Sequence, residues 1–372
     1  MKIFHCDHCG SLVFFENVSC VGCGHALGFL PDIMDLAALE PDKDQHWRSL
    51  AAASRGKLYR ACANGRDYSV CNWFVPVEEP EEYCAACRLN AMVPDVSIQE
   101  NQTRWHKIEI AKRRLIFTLR RLSLPTEGDP AQMWPRLQFR FLAETPGMPP
   151  VLTGHEDGVI TLNIAEADDA EREKRRTQLH EPQRTLVGHF RHESGHYYWD
   201  ALIASSPLQD DFRLLFGDER ADYTEALQTY YTNGPSAGWK SNCVSAYASA
   251  HPWEDWAETW AHYLHMVDLL ETAAGFGLSL RPRHPAGKTI AADPQKALGR
   301  GATFESMLEH WFPLTYSLNS LNRSVGLPDL YPFVLSSPVL KKLRFVHDVI
   351  ARPDRRTEPA WNDSNEILQP SS

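Results

Sequence analysis

His189-Phe190-Arg191-His192-Glu193-Ser194-Gly195-His196-Tyr197-Tyr198-Trp199-Asp200 is the stretch around which this chain is organised. It holds His-Glu-Ser-Gly-His, an HExxH pattern, within a run that reads as a helix from about Arg184 to Ile203. Helix positions four apart lie one turn apart on the same face, so His192 and His196 can offer two imidazole nitrogens to one metal ion. Glu193 stands beside them, where it can take a proton from a water on that metal. Gly195 is a weak point by helix propensity and marks a place where another backbone can pack closely on the helix. A half-buried helix whose histidines bond locally would carry the same letters, so the rest of the chain has to separate the two readings.

At 372 residues the chain can bury at least one large core and divide into two or three domains. Its 43% apolar and 23% charged content is that of a soluble globular protein. A formal charge of -10 argues against nucleic acid as a partner held by the net field. No apolar run is long enough to span a bilayer, and Cys6 and Asp7 interrupt any apolar segment at the start. The expected address is the cytoplasm, without a membrane partner. There, paired Cys-x-x-Cys units point to zinc rather than to disulfides.

Eight of the nine cysteines precede residue 90. Cys6-Asp7-His8-Cys9-Gly10 and Cys20-Val21-Gly22-Cys23-Gly24 form two knuckles, each ending in a glycine that lets backbone amides turn toward thiolate sulfurs. Leu12-Val13-Phe14-Phe15 between them suits a short hairpin strand. Cys6, Cys9, Cys20 and Cys23 therefore read as a four-cysteine zinc ribbon; a redox pair would need a βαβ setting that is missing. His5, His8 and His25 are near enough to substitute, but four cysteines already complete a tetrahedron. Cys62, Cys71, Cys84 and Cys87 read as a second structural zinc site, with strand-like Asp67–Val70 and Trp73–Val77 flanking Cys71. Such small units depend on metal for much of their folding free energy. Residues 1–35 carry one lysine against Asp7, Glu16, Asp32 and Asp35, which favours protein recognition or a structural role over phosphate contact. Asp35–Arg55 reads as a linker with some helix.

Gln102–Leu122 has a helical apolar stripe of Trp105, Ile108, Leu115, Leu119 and Leu122, and its Lys112-Arg113-Arg114 run reads as a solvated face. The helix should break between Leu124-Pro125 and Asp129-Pro130. Leu137–Leu142 alternates like a strand. Val151–Thr153 and Val159–Ile164 flank Asp157-Gly158 as a β-hairpin, and residues 166–184 read as a charged, solvated segment. A sheet just before an HExxH helix is the order of zinc peptidases, where an edge strand can pair with an extended substrate.

A catalytic zinc needs a third protein ligand and an open position. The metzincin extension fails, because Trp199 and Leu202 stand where glycine and histidine are required. Glu219 and Glu254 compete. Pro252 suits a first helical turn, and the pattern that follows runs unbroken to about Leu270, placing Glu254, Glu258 and His262 on one side beside an apolar face. That favours Glu254 as ligand, with Glu258 one turn on as partner for a histidine ring. Residues 271–303 read as a long loop, Phe304–Asn322 as a helix, and Ser337-Pro338 as the start of a last helix through Ile350.

His192-Glu193-x-x-His196 followed by Glu254-Asp255-Trp256-Ala257-Glu258 resembles the gluzincin metallopeptidases, especially the lethal-factor-like subgroup. There the downstream motif reads E-x-x-A-E and a tyrosine precedes it by seven residues, as Tyr247 precedes Glu254 here. The resemblance implies zinc on His192, His196 and Glu254, Glu193 as general base, and Tyr247 as a donor to the oxyanion. Glu258 would support the ligands from behind. His262, on the same side of its helix, is a weaker candidate than Tyr247 for the oxyanion. The layout of two cysteine sites, this region and Leu318-Asn319-Ser320-Leu321-Asn322-Arg323-Ser324 also resembles a bacterial family of zinc-ribbon-containing, zinc-binding metallopeptidases over nearly the full chain.

The expected fold is α+β. A ribbon at 1–35 is followed by a linker and second four-cysteine module at 36–95. A mainly helical, zincin-like domain with a small antiparallel sheet follows at 96–351, and 352–372 form a disordered tail. The expected function is zinc-dependent hydrolysis of a peptide or protein, with one catalytic and two structural zinc ions. The alternative is a non-catalytic zinc-ribbon adaptor that binds a protein partner.

Overall fold

The computed structural model describes residues 2–127, 135–145, 147–172, 185–283, 290–298 and 302–352. The chain opens with β1 (Phe4–His5) paired antiparallel to β2 (Leu12–Val13). Gly10 and Gly24 close the two knuckles at φ 73 and 78, where a side chain would be strained, and donate to Cys6 O and Cys20 O at 2.8 Å. An antiparallel sheet follows in chain order: β3 (Ala26–Leu30), β4 (Asp35–Pro41), β5 (Trp47–Ser49), β6 (Leu58–Ala61) and β7 (Phe74–Pro76).

This sheet corrects the linker reading of Asp35–Arg55, which supplies β4 and β5 with only short 3-10 turns at Lys43–Gln45 and Ala52–Ser54. The run Leu36-Ala37-Ala38-Leu39 hid its strand because both faces are buried. Leu36 and Ala38 join the main core, whereas Ala37 and Leu39 join a small second cluster with Leu30, Tyr59 and Phe74. Period-two alternation disappears when both faces are apolar. Leu30 pairs with Asp35, so a boundary after residue 35 would cut a hairpin. Asp67–Val70, expected as strand, instead holds the last two residues of α1 (Ala63–Tyr68) and the turn that follows. Ser69 closes that helix in the left-handed region, and Cys62 N–H bonds Trp73 O, so the short helix folds Cys62 back toward Cys71.

α2 (Gln99–Arg121) follows β8 (Asn90–Met92). Its Lys112 and Arg113, read as solvated, are buried, as is Glu109. The helix is covered on two sides, since Phe117 packs against Phe4, Phe15 and Phe29 while α2 also abuts the HExxH helix. The second sheet runs β10 (Gly154–Glu156), β11 (Val159–Asn163), β9 (Gln138–Leu142), β8. The β10–β11 hairpin is antiparallel, with its first strand three residues later than Val151–Thr153, and β9 extends it through parallel pairing with β11 and β8.

The helical layer comprises α3 (Leu186–Leu202), α4 (Gln209–Phe216), α5 (Tyr223–Asn233), α6 (Trp239–Asn242), α7 (Pro252–Gly275), α8 (Phe304–Ser324) and α9 (Ser337–Ile350). Thr185 caps α3 by accepting from Gly188 N, and Ser336 rather than Ser337 caps α9 by accepting from Val339 N. In the 271–303 segment Leu280 and Ala292 form a bridge and Pro294–Ala297 a 3-10 turn. Parts of the expected charged segment, of the helix break after Pro125 and of that loop, and the tail from 353, lie outside the described residues. One hydrophobic cluster runs from Phe4 to Val349. No helix among the described residues is long and apolar enough to cross a membrane.

Candidate metal centre

α3 and α7 meet where both are small. A Cβ on Gly195 would stand 2.8 Å from Ala257 Cα and 3.3 Å from its Cβ. Trp256 Nε1 donates to Gly195 O at 2.8 Å, and Trp260 Nε1 to Ser194 Oγ at 3.1 Å. This close crossing sets the HESGH turn of α3 against the first turn of α7. His251 caps that turn by accepting from Trp253 N, and Pro252 follows in the position where a missing N–H costs nothing.

His192, His196 and Glu254 converge there. His192 Nε2 lies 3.3 Å from His196 Nε2 and 3.1 Å from Glu254 Oε2, which is 3.7 Å from His196 Nε2. Nitrogen and oxygen ligands about 2.0–2.1 Å from a tetrahedral zinc stand roughly 3.3–3.4 Å apart, so the three atoms already span one face of such a polyhedron. Glu254 Oε2 is buried without a hydrogen-bond partner, whereas Glu254 Oε1 accepts from Tyr223 OH at 2.5 Å. Burial opposes charge on His192, but the nearby carboxylates of Glu254 and Glu258 outweigh it and hold its pKa well above the usual histidine value. Burial likewise works against ionised Glu254, yet His196 and His192 keep its carboxyl well below the usual range. The pocket thus demands positive charge, and its donor set fits zinc.

Glu258 approaches from behind. Its Oε1 lies 2.7 Å from His192 Nδ1, and its Oε2 accepts from Ser245 Oγ at 2.6 Å. That contact fixes the ring so that Nε2 faces the cluster. Tyr247 stands beside the ligands, its ring centroid 5.9 Å from that of His192. Burial, then the field of Glu254, pushes its hydroxyl pKa well up, so it remains a donor. Glu219 is not part of the group: Arg213 holds it at 2.5–3.2 Å. His262 is also elsewhere, its Nδ1 2.8 Å from Tyr331 OH and its ring against Phe333.

Glu193 is buried, and its Oε1 lies 3.1 Å from His189 Nε2. His189 Nδ1 in turn meets Glu166 Oε2 at 2.7 Å, and Glu166 Oε1 accepts from Thr153 Oγ1 at 2.7 Å. Burial disfavours the imidazolium, but Glu166 and Glu193 override it and push the His189 pKa up to about 9. Sequence reasoning missed His189, Glu166, Tyr223 and Ser245. Only His189 left a signal, standing one turn before Glu193 on the same face. The edge strand β10 passes close by, with the His155 ring 6.1 Å from that of Tyr197.

The two cysteine sets also assemble. Sulfur separations of 3.7 Å (Cys6–Cys23), 3.6 Å (Cys9–Cys20) and 3.7 Å (Cys71–Cys84) match the roughly 3.8 Å edge of a tetrahedron with zinc–sulfur bonds of about 2.3 Å. All nine cysteines are free thiols. A cavity of about 650 Å³ between the second module, β8 and α2 does not border the histidine cluster.

Residues 3–98 match a zinc-ribbon domain family. Uncharacterized proteins of Mycobacterium bovis and Mycobacterium tuberculosis are 44% identical to the chain over 361 residues, covering 97% of it and 98% of each relative. No solved structure gives a significant match. Residues 101–349, which include both helices of the metal centre, match a further family, and the chain belongs to it: the family described as "putative zinc-binding metallo-peptidase".

Proposed function

We propose that the chain is a zinc-dependent peptidase of the gluzincin type, acting on a peptide or protein in the cytoplasm. One observation carries this reading. Three donor atoms from His192, His196 and Glu254 stand 3.1–3.7 Å apart, and the carboxylate oxygen among them is buried with no partner at hydrogen-bond geometry. Zinc held by these residues would supply Lewis acidity to water and to an amide carbonyl. Glu193 serves as the base, accepting the proton of the attacking water on its carboxylate and passing it to the leaving amide nitrogen. Tyr247 turns its hydroxyl to the oxygen that gains charge as the carbonyl becomes tetrahedral. Glu258 and Tyr223 hold His192 and Glu254 in orientation through their far atoms. The outer edge of β10, unpaired among the described residues, offers backbone groups to an extended substrate.

The ribbon has a structural share in this reading. Protein recognition is its second reading, favoured by Leu12, Phe14, Val18 and Val21 standing exposed around its knuckles. Metal counting separates the enzyme from the adaptor. Atomic emission on purified protein is expected to find three zinc ions per chain, falling by one in His192→Ala and Glu254→Ala and unchanged in Glu219→Ala. Glu193→Gln should keep all three yet cleave quenched fluorescent casein at least ~100-fold more slowly. Two ions in the wild type, with His192→Ala without effect, would favour the adaptor.

A further inference from the structure

α2 carries a charged cluster that an apolar core does not require. Glu109, Lys112 and Arg113 are all buried. Glu109 Oε1 accepts from Lys112 Nζ at 2.9 Å, Trp105 Nε1 at 3.0 Å and Asn90 Nδ2 at 2.7 Å, and Lys112 also donates to Asn90 Oδ1. Arg113 Nη1 donates at 2.6 Å to Val70 O, the carbonyl immediately before Cys71, while its guanidinium stands 4.0 Å from Glu109. Gln102 holds the same segment by donating to Tyr68 O at 2.8 Å, and Glu109 Oε2 lies 3.9 Å from Cys87 Sγ. One face of α2 therefore grips the backbone leading into one cysteine of the second set and touches another.

Charge is out of balance in this cluster taken alone, with two cations beside one carboxylate. Buried ions are costly unless paired. Four thiolates around a divalent cation leave a net negative charge close by, and that is the missing counterpart. We propose that Arg113, supported by Lys112, is the counter-ion of the Cys62–Cys71–Cys84–Cys87 metal centre, tying its metal occupancy to the packing of the peptidase helices. Burial disfavours the Arg113 charge, but Cys71, Glu109, Cys87 and Cys84 outweigh it and raise its pKa. The link reaches the reactive helix by two routes. Asn90 opens β8, which pairs with β9, and α2 itself packs against α3. The proposal rests on zinc filling the second cysteine set and is independent of peptidase activity.

The test follows zinc release from the full, zinc-loaded chain to the chromogenic chelator 4-(2-pyridylazo)resorcinol. Cys71→Ser identifies the ion of the second site as the one it lacks. Arg113→Met, which keeps bulk and removes charge, is expected to release that ion about ten- to a hundredfold faster and leave the others unchanged. Arg113→Lys should restore most of the retention. The cobalt-substituted chain should show the same selectivity in its thiolate charge-transfer band. The proposal is overturned if Cys71→Ser binds as much zinc as the wild type, if Arg113→Met releases zinc at the wild-type rate, or if all ions leave faster together. It also fails if Arg113→Lys is no better than Arg113→Met, because shape rather than charge would then be at work. Should Arg113→Met not fold, Lys112→Met is read in the same assay: selective acceleration supports the proposal and an unchanged rate overturns it.

Discussion

His189 shows how a single side chain can make the neighbourhood of a base stable and pH-dependent together. It bridges Glu166 and Glu193 at 2.7 and 3.1 Å, and the two carboxylates raise its pKa to about 9 against the opposing effect of burial. In the unfolded chain it returns to about 6.5. The stabilisation is therefore fully present below about pH 6.5 and lost as pH rises through about 9, with a magnitude of roughly 3 kcal/mol. Urea midpoints of the wild type should fall between pH 6.5 and 9.5 by more than those of His189→Gln. Parallel pH profiles in the two proteins would show that His189 does not hold a proton in the fold.

At the scale of the element, the α3–α7 crossing depends on Gly195 and Ala257. The alanine of Glu254-Asp255-Trp256-Ala257-Glu258 faces the glycine of the HESGH turn, so each motif carries its small residue for the other helix. Gly195→Ala gains up to ~1 kcal/mol of helix propensity but forces backbone apart at a 2.8 Å contact, where overpacking costs about 1–3 kcal/mol. The expected result is a net loss of roughly 1–2 kcal/mol in denaturant titration together with weaker zinc retention, since His192, His196 and Glu254 sit on the two displaced helices. A more stable Gly195→Ala protein would mean that the crossing adjusts freely. The same crossing explains which parts of the site were legible in the sequence. His192 and His196 are local, four apart on one helix, and Gly195 betrays close packing by its own propensity. The helical pattern after Pro252 already favoured Glu254 over Glu219, and Arg213 in space removes Glu219 from the site. Tyr223 is brought to Glu254 from 31 residues away by tertiary packing, which leaves no local trace. Lys112 and Arg113 were misread because helical periodicity shows one apolar stripe and cannot report a second buried face made of paired charges.

Over the whole molecule, the boundary near residue 95 separates families of sequence without separating the physics. β8 lies on the cysteine side of that boundary yet is an edge of the sheet that contains β9, β11 and β10. Phe117 on the other side packs against Phe4, Phe15 and Phe29, and the cluster that contains them reaches Val349. A chain begun at residue 96 would expose this aromatic face, leave β9 with an unpaired edge and strip the buried Lys112 and Arg113 of Asn90, Val70 and the thiolates. Each loss is of the kind that costs several kcal/mol, against a total stability of about 5–15 kcal/mol for an ordinary domain. The expected outcome for residues 96–351 is an aggregating product without a cooperative unfolding transition, checked by size-exclusion chromatography and thermal circular dichroism. A monomer that unfolds cooperatively and retains the zinc of His192, His196 and Glu254 would show that the cysteine modules are detachable. That result would favour protein recognition as the ribbon's role, because a ribbon that folds and separates freely is free to serve a partner. Failure of the truncated chain to fold would instead mean that these modules are part of the wall on which the metal-binding helices are built.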